Sequence, residues 1–253
     1  MNEIKSISHY SDKTARLVIS NGLIAAKAQP GQFVIIKFSE QGQRIPFAII
    51  RADAVNDEID VIIHRGDGLD EILNNLKDGD VLPDLLGPLG MPAVVESDKT
   101  VIFCGDGAGF VPLLPLMDAY REKGCRIYAL MTELSSKLQC LLGDINHNCD
   151  GMTVIDEASL PGTMRQWIEQ YSPDKIILSG PTMMMKELAG IAKEKGVSAD
   201  CVLNMLMIDG IGICGVCRVM VGGRQKQTCV DGPVFNAWEV DFDYILNRQR
   251  SFI

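Results

Sequence analysis

The chain predicts an N-terminal antiparallel β-barrel, then an α/β domain built on a parallel sheet, then a small C-terminal loop region bearing cysteine. Three observations carry this. The first 95 or so residues contain short β-rich runs broken by Gly, Pro, Asn and Asp. From Thr100 the texture changes to strand and helix patterns in alternation, the sign of a parallel sheet. Near the C-terminus a close-spaced ligand loop is followed by one distant cysteine. The divisions expected are 1–95, 96–200 and 201–253, with the stretch Pro88 to Ser97 (PLGMPAVVES) as the junction between the first two.

The strand runs in order are ARLVIS (15–20), GLIAAKA (22–28), GQFVIIKF (31–38), FAIIRADA (47–54) and IDVIIHR (59–65). In the second half VIFCGDGAGF (101–110) reads as a strand entering a glycine turn, LLPLMDAYREKG (113–124) as a helix and RIYALMT (126–132) as a strand. DKIILSG (174–180) is a further strand and MMMKELAGIAKEKG (183–196) a further helix, with Met183 to Met185 as adaptable core packing.

Composition limits the function classes. At 253 residues with 47% apolar residues there is ample material for two cores. No stretch reaches the roughly 18 consecutive apolar residues of a spanning helix, and MNEIKSISHY lacks the regions of a signal peptide, so no membrane insertion and a cytoplasmic location are expected. A net charge of −9 without clustered Lys and Arg argues against nucleic acid as a partner. Eight cysteines in a reducing compartment suit thiolates held for a metal, with Cys104, Cys125, Cys140 and Cys149 as buried core thiols.

The ligand loop is MIDGIGICGVCRVMVGGRQKQTC, in which Asp209, Cys214, Cys217 and Cys229 are set. A plant-type iron–sulfur loop runs C-x4-C-x2-C with a remote fourth Cys, and here Asp209 stands at the first position. Gly210, Gly212 and Gly215 lack a Cβ and let backbone approach an inorganic sulfide. Two other readings stand beside this one. Cys201, Cys214, Cys217 and Cys229 would make a four-thiolate zinc cage, although only one CxxC pair is present. Asp209 would otherwise be a turn residue bonded to local backbone, leaving three cysteines as ligands.

Arg44, Ile45, Pro46, Phe47 and Ala48 follow one strand run and lead into the next. Arg44 there is either a fork for a diphosphate or an exposed arginine, with Pro46 ending a strand. DLLGPLGMP offers Gly87 and Gly90 as bare backbone against a flat ring, or as an ordinary linker turn. Gly105, Gly107 and Gly109 follow a strand and open a helix, a phosphate-binding geometry that makes the α/β domain a candidate nucleotide-binding domain. Gly180 and Pro181 place a second glycine turn on the same sheet edge, where ligands of such folds bind. Asp106 is an awkward neighbour for a pyrophosphate unless it caps the helix or contacts a hydroxyl.

Taken together, R-x-P-phi-A, GDGAGFVPLLPL, SGPTMMMK and the C-terminal loop resemble the ferredoxin–NADP reductase superfamily, in the branch of dihydroorotate dehydrogenase electron-transfer subunits. Within it, MIDGIGICGVCRVMVGG and TCVDGPVFNAWEVDFDYILNRQ are more similar to the small subunit type of NADH-dependent ferredoxin–NADP oxidoreductase, an electron-bifurcating transhydrogenase also known as sulfide dehydrogenase. The resemblance implies FAD in the barrel, NAD(H) on the α/β domain and a 2Fe-2S cluster on Asp209, Cys214, Cys217 and Cys229. Arg44 would anchor the FAD diphosphate, Pro46 to Ala48 would line the flavin, and Gly87 to Gly90 would hold its adenine side.

It implies an electron relay from a pyridine nucleotide through flavin and cluster to a larger catalytic oxidoreductase subunit, with no side-chain acid or base required. In pyrimidine-pathway subunits, the alternative within the branch, Cys usually stands at the Asp209 position. The chain departs from the family at Asp106, where a glycine is usual, and at IDEASLPGTMRQ, which replaces an Asp-Gly-Ser-x-Gly stretch. Either the chain keeps FAD and cluster as a wire while a partner supplies the other substrate, or its nucleotide preference is shifted. The aromatic segment Phe235 to Ile253 is a candidate docking surface or a tail packed on its own domain. From another class, a non-catalytic regulatory module holding zinc on a degenerate reductase fold is the competing reading.

Overall fold

The computed structural model describes residues 2–11, 14–64, 69–132, 145 and 148–250. Arg65, Cys140 and Phe252, which the sequence reading touches, lie outside them. Seven strands fill the first half: β1 (Glu3–Ser11), β2 (Thr14–Ser20), β3 (Phe33–Lys37), β4 (Arg44–Ala48), β5 (Arg51–Asp53), β6 (Glu58–His64) and β7 (Asp84–Leu89). They form two antiparallel sheets, ordered β1-β2-β6-β5 and β4-β3-β7. The register pairs Ala15 with Ile63, Leu17 with Val61 and Ile19 with Ile59. All six are fully buried, so alternate residues of β2 and β6 stack on one face. Val34 and Ile36 of β3 join the same core from the other sheet.

Local chemistry alters four of the sequence expectations. GLIAAKA is not a strand: Gly22–Ala25 is a short helix whose cap Asn21 accepts the Ile24 N–H at 3.0 Å. That N-cap bond overrides weak β preference, and Leu23 is left exposed. FAIIRADA is divided, because the chain crosses between sheets at Ile49 and Ile50, with Ile49 N–H bonded to Gln32 and Ile50 N–H to Asp60. DLLGPL is strand β7, paired with β3, instead of a linker turn. Pro46 does not end a strand; it lies inside β4, an edge strand, where a missing N–H does no harm.

The second half is a six-stranded sheet made of β8 (Thr100–Asp106), β9 (Arg126–Thr132), β10 (Gly151–Ile155), β11 (Lys175–Ser179), β12 (Ser198–Val202) and, after the hairpin β13 (Arg218–Val221) and β14 (Arg224–Gln227), β15 (Val234–Asn236). The order is β10-β9-β8-β11-β12-β15, parallel throughout except for β15 against β12. Helices Leu160–Tyr171 and Thr182–Glu194 cover one face, where Ile102, Cys104, Ile176 and Leu178 point. Helix Leu114–Glu122 covers the other, where Val101, Phe103 and Ile177 point. This two-sided burial is why these strands read as unbroken apolar runs. Met184 and Met185 are core residues, while Met183 is exposed. β12 runs across position 200, so the C-terminal segment continues the sheet and returns to it through β15.

Lys175 pins the connecting segment to the amino end of the sheet, with its Nζ 2.7 Å from Glu96 Oε1 and 3.0 Å from Asp200 Oδ2. Burial alone would lower the Lys175 pKa, but Glu96 and Asp200 outweigh it and raise it, while Lys175 in turn holds Glu96 below the usual glutamate range. The Glu96 contribution is therefore complete above the ordinary glutamate range and is lost as pH falls through the depressed value. Lys175→Ala leaves Asp200 without its partner and is expected to lower stability by about 1–3 kcal/mol in urea denaturation at neutral pH. The deficit should shrink in acid; a loss independent of pH would contradict the pairing.

Candidate functional site

The loop from Asp209 to Cys217 is shaped by glycines in the left-handed region, and Gly210 is the sharpest case. Its φ is +70°, and a Cβ there would collide with Ile35 Cδ1 of β3 and meet Leu89 Cδ1 at 3.0 Å. Only glycine lets the loop lie this close to the first-half sheet. Asp209 then accepts backbone N–H bonds from Ile211 at 3.0 Å, from Gly212 at 3.2 Å and from Cys214. Burial works against the charge, but these amides and the Cys214 thiol hold the carboxyl below its usual range. Asp209 thus makes the local backbone bonds of a turn residue at the head of the loop.

Cys217 and Cys229 are twelve residues apart in sequence and adjacent in space. Cys217 precedes β13, Cys229 follows β14, and the hairpin closes through Gly222 and Gly223, both at positive φ, which suits a two-residue hairpin turn. Thr228 donates to the Cys217 carbonyl through both its N–H, at 3.1 Å, and its hydroxyl, at 3.0 Å. The two sulfurs are 3.2 Å apart and are free thiols. The Gly222-Gly223 turn is what brings the remote cysteine back.

The four residues fall into two pairs, Asp209 with Cys214 and Cys217 with Cys229. Among the described residues no group of three or more His, Cys, Asp or Glu side chains is placed to hold a single metal ion. The zinc cage imagined from Cys201 does not form, since Cys201 is a fully buried core residue of β12 opposite Phe235. Two pairs, one on the loop and one joining its end to the segment after the hairpin, are what a binuclear centre asks of its ligands. Two thiolates on one tetrahedral metal, with bonds of about 2.3 Å, stand roughly 3.7 Å apart, so the 3.2 Å Cys217–Cys229 pair would open by about half an ångström to hold one. The donor set fits a 2Fe-2S group. Burial first, and then the bond to Cys217, push the Cys229 thiol up to about 12, so loading a metal must release protons.

Beside this loop lies a cavity of about 930 Å³, lined by Arg44, Ile45, Pro46, Phe47 and Ala48 together with Gln32, Phe33, Ile62 and His64. Its far wall is Ala108, Val111 and Pro112 from the turn after β8, and Leu203 to Ile208, apart from Met205. The volume is at the upper end for small-molecule sites, about 300–1,000 Å³, and the apolar floor with an arginine at its rim fits a flavin dinucleotide. Arg44 donates from Nε at 3.1 Å and Nη2 at 2.7 Å to Asp84 Oδ2. A guanidinium has five donors, so others remain for a diphosphate. His64 Nδ1 is bonded to Thr14 Oγ1 at 2.9 Å.

Gly87 and Gly90 are not in that lining. A Cβ on Gly87 would meet Val34 Cγ1 at 2.7 Å, and one on Gly90 would meet the Gly232 carbonyl at 2.7 Å, so at both the missing side chain makes room for protein atoms. Gly105 is buried where a Cβ would meet the Ser179 carbonyl at 2.8 Å. Gly107 opens the 3-10 turn Gly107–Leu113 and Pro181 caps helix Thr182–Glu194. Gly109 and Gly180 face each other on the carboxyl edge of the sheet. The sequence reading missed Gln32, His64 and the 203–208 wall. Buried Leu203, Met205 and Met207 alternate with exposed Asn204, Leu206 and Ile208, but the sequence there is apolar except for Asn204 and carries no such alternation.

Residues 204–241 match the iron–sulfur cluster binding domain of dihydroorotate dehydrogenase B. The electron-transfer subunit homolog of dihydroorotate dehydrogenase B (NAD(+)) from Thermotoga maritima is 31% identical over 258 residues, covering 100% of this chain and 92% of that protein. The electron-transfer subunit from Bacillus velezensis is 30% identical over 94% of this chain and 96% of its own length. A solved structure of NADH-dependent reduced ferredoxin–NADP oxidoreductase, described for flavin-based electron bifurcation, superposes with a TM-score of 0.89 at 30% identity, covering 99% of this chain and 93% of that one.

Gly210→Ala is expected to cost about 1–3 kcal/mol through the positive φ and the collision with Ile35. It should also lower the iron bound per chain, whereas Gly79→Ala, at a turn with open space around it, should keep the iron content. Equal iron in both variants would separate the loop's position from its loading. Sequence and fold agree over essentially the whole length: the chain belongs to the family of dihydroorotate dehydrogenase B electron-transfer subunits and their homologues.

Proposed function

We propose that Arg44 to Ala48 hold FAD, that Asp209 and Cys214 bind one iron of a 2Fe-2S cluster and Cys217 and Cys229 the other, and that the chain relays electrons between a pyridine nucleotide and a larger catalytic subunit. Residues 1–95 carry the flavin, 96–200 the nucleotide-facing sheet and 201–253 the cluster, in a cytoplasmic complex. One observation supports this most: the segment that walls the cavity, Leu203 to Ile208, ends one residue before Asp209. Bound FAD exchanges electrons in pairs and the cluster singly, so the two together convert one mode into the other. The chain's own residues fix their separation. β3 supplies Phe33 to the cavity wall and Ile35 to the loop's support.

The rim of the loop suits a protein partner. Ile211, Ile213 and Val230, which lie outside the cavity wall, are exposed, Ile213 at 81%, around the exposed Cys214. By contrast Phe235 and Phe242 are buried in the C-terminal core, so the aromatic tail packs largely on its own domain. Asp209 favours a partner of the ferredoxin–NADP oxidoreductase type, as does the likeness of fold. The names of the relatives favour a dihydroorotate dehydrogenase partner. Identifying the larger chain that co-purifies from native cells distinguishes these.

Anaerobically purified protein is expected to show flavin bands and broad iron–sulfur absorption. A colourless, zinc-containing preparation would instead support the regulatory module. Asp209→Cys should keep a cluster but change the paramagnetic resonance of its reduced state, and an identical spectrum would remove Asp209 from the ligand set. Arg44→Ala should weaken FAD binding about tenfold or more, from loss of charge-assisted bonds worth about 1.5–3 kcal/mol. Flavin fluorescence titration reads this directly, and unchanged affinity would leave Arg44 as the partner of Asp84 alone.

A further inference from the structure

The carboxyl edge of the six-stranded sheet holds an acid where an open crease would be expected. β8 and β11 run side by side with Gly105 opposite Ser179, so the turns that follow them face each other. The Asp106 carboxylate lies between them. Its Oδ1 would stand 2.7 Å from a Cβ on Gly180 and would collide with one on Gly109, while Gly180 Cα is 2.8 Å from that same Gly109 position. The absent side chains therefore leave a space that a carboxylate of this chain fills. Burial raises the Asp106 pKa, opposed by its own N–H and that of Gly109, and Glu157 from the turn after β10 adds a second negative charge.

A dinucleotide diphosphate entering this crease meets acid instead of bare amides. The Gly109 N–H that would attract it already faces Asp106, and like charges brought together repel strongly where they are poorly solvated. We infer that Asp106 is a specificity-determining residue that keeps this chain's affinity for the diphosphate of a pyridine dinucleotide low, by filling the crease between the Gly109 and Gly180 turns. The inference rests on the reading above, in which a pyridine nucleotide docks at this edge. It turns the departure from the family's glycine into a property of the site.

The experiment is calorimetric titration of the flavin- and cluster-containing protein with ADP-ribose, which carries the diphosphate without the reacting ring. Asp106→Asn keeps the size of the side chain and removes its charge, and is expected to bind at least about tenfold more tightly than the unaltered protein. Asp106→Gly should gain as much or more, and the advantage of both should narrow as salt is added. Equal or weaker binding by Asp106→Asn, with an unchanged flavin spectrum, overturns the inference, as does an absence of binding by every form. Reduction of flavin and cluster by dithionite reads the relay separately. If both accept electrons while the variants bind no better, only the inference fails; if neither group is present, the functional reading fails with it.

Discussion

The architecture turns on β3, a five-residue strand buried on both faces. Val34 and Ile36 point into the first-half core, while Phe33 and Ile35 belong to the core that also contains Met205, Met207, Cys217 and Cys229. One strand therefore serves two cores, and a period of two assigns each residue to one of them. This sets how near the ligand loop comes to the cavity. Ile35 is the residue that forces glycine at 210, and Phe33 is part of the cavity wall. A one-residue slip of β3 would exchange the two sets and separate flavin site from loop.

Around that strand, the remaining contacts act as ties between segments distant in sequence. The Met91 N–H donates to the Gly232 carbonyl at 2.6 Å, and the Gln32 side chain donates to the Gly90 carbonyl at 2.8 Å. Gly90 is therefore a seam at which the first half accepts the C-terminal segment. β15 then carries that segment onto the edge of the sheet, with Cys201 facing Phe235. The loop is held from three sides by β3, by the β13–β14 hairpin and by Arg248, whose Nη2 donates to the Val216 carbonyl at 2.8 Å. An electron-transfer subunit needs fixed distances more than it needs acid–base groups, and these ties supply them.

Much of the site was legible where residue type alone carries the chemistry. The spacing of Asp209, Cys214 and Cys217 lies within the matched iron–sulfur domain, and the string Arg44 to Ala48 lines the cavity, because few other roles use those residues at that spacing. Glycines were less legible. Gly87, Gly90 and Gly105 look in sequence like turns awaiting a ligand, yet each has protein atoms where its Cβ would be. Absence of a side chain says that something approaches closely and cannot say whether it is a cofactor or another strand.

From the sequence alone, the alternation of the strand runs, the change of texture at Thr100 and the types of the ligand residues determined the fold class and the cofactor chemistry, since these depend on local pattern and intrinsic donor character. Only the tertiary structure decided that Gly22–Ala25 is helical, that Asp209, Cys214, Cys217 and Cys229 stand as two pairs, that the cavity's far wall runs into the loop, and that Asp106 fills the crease between two turns. Each of these depends on contacts between residues far apart in the chain, or on a single capping bond that outweighs propensity, and no local pattern encodes which distant atom will occupy a given space.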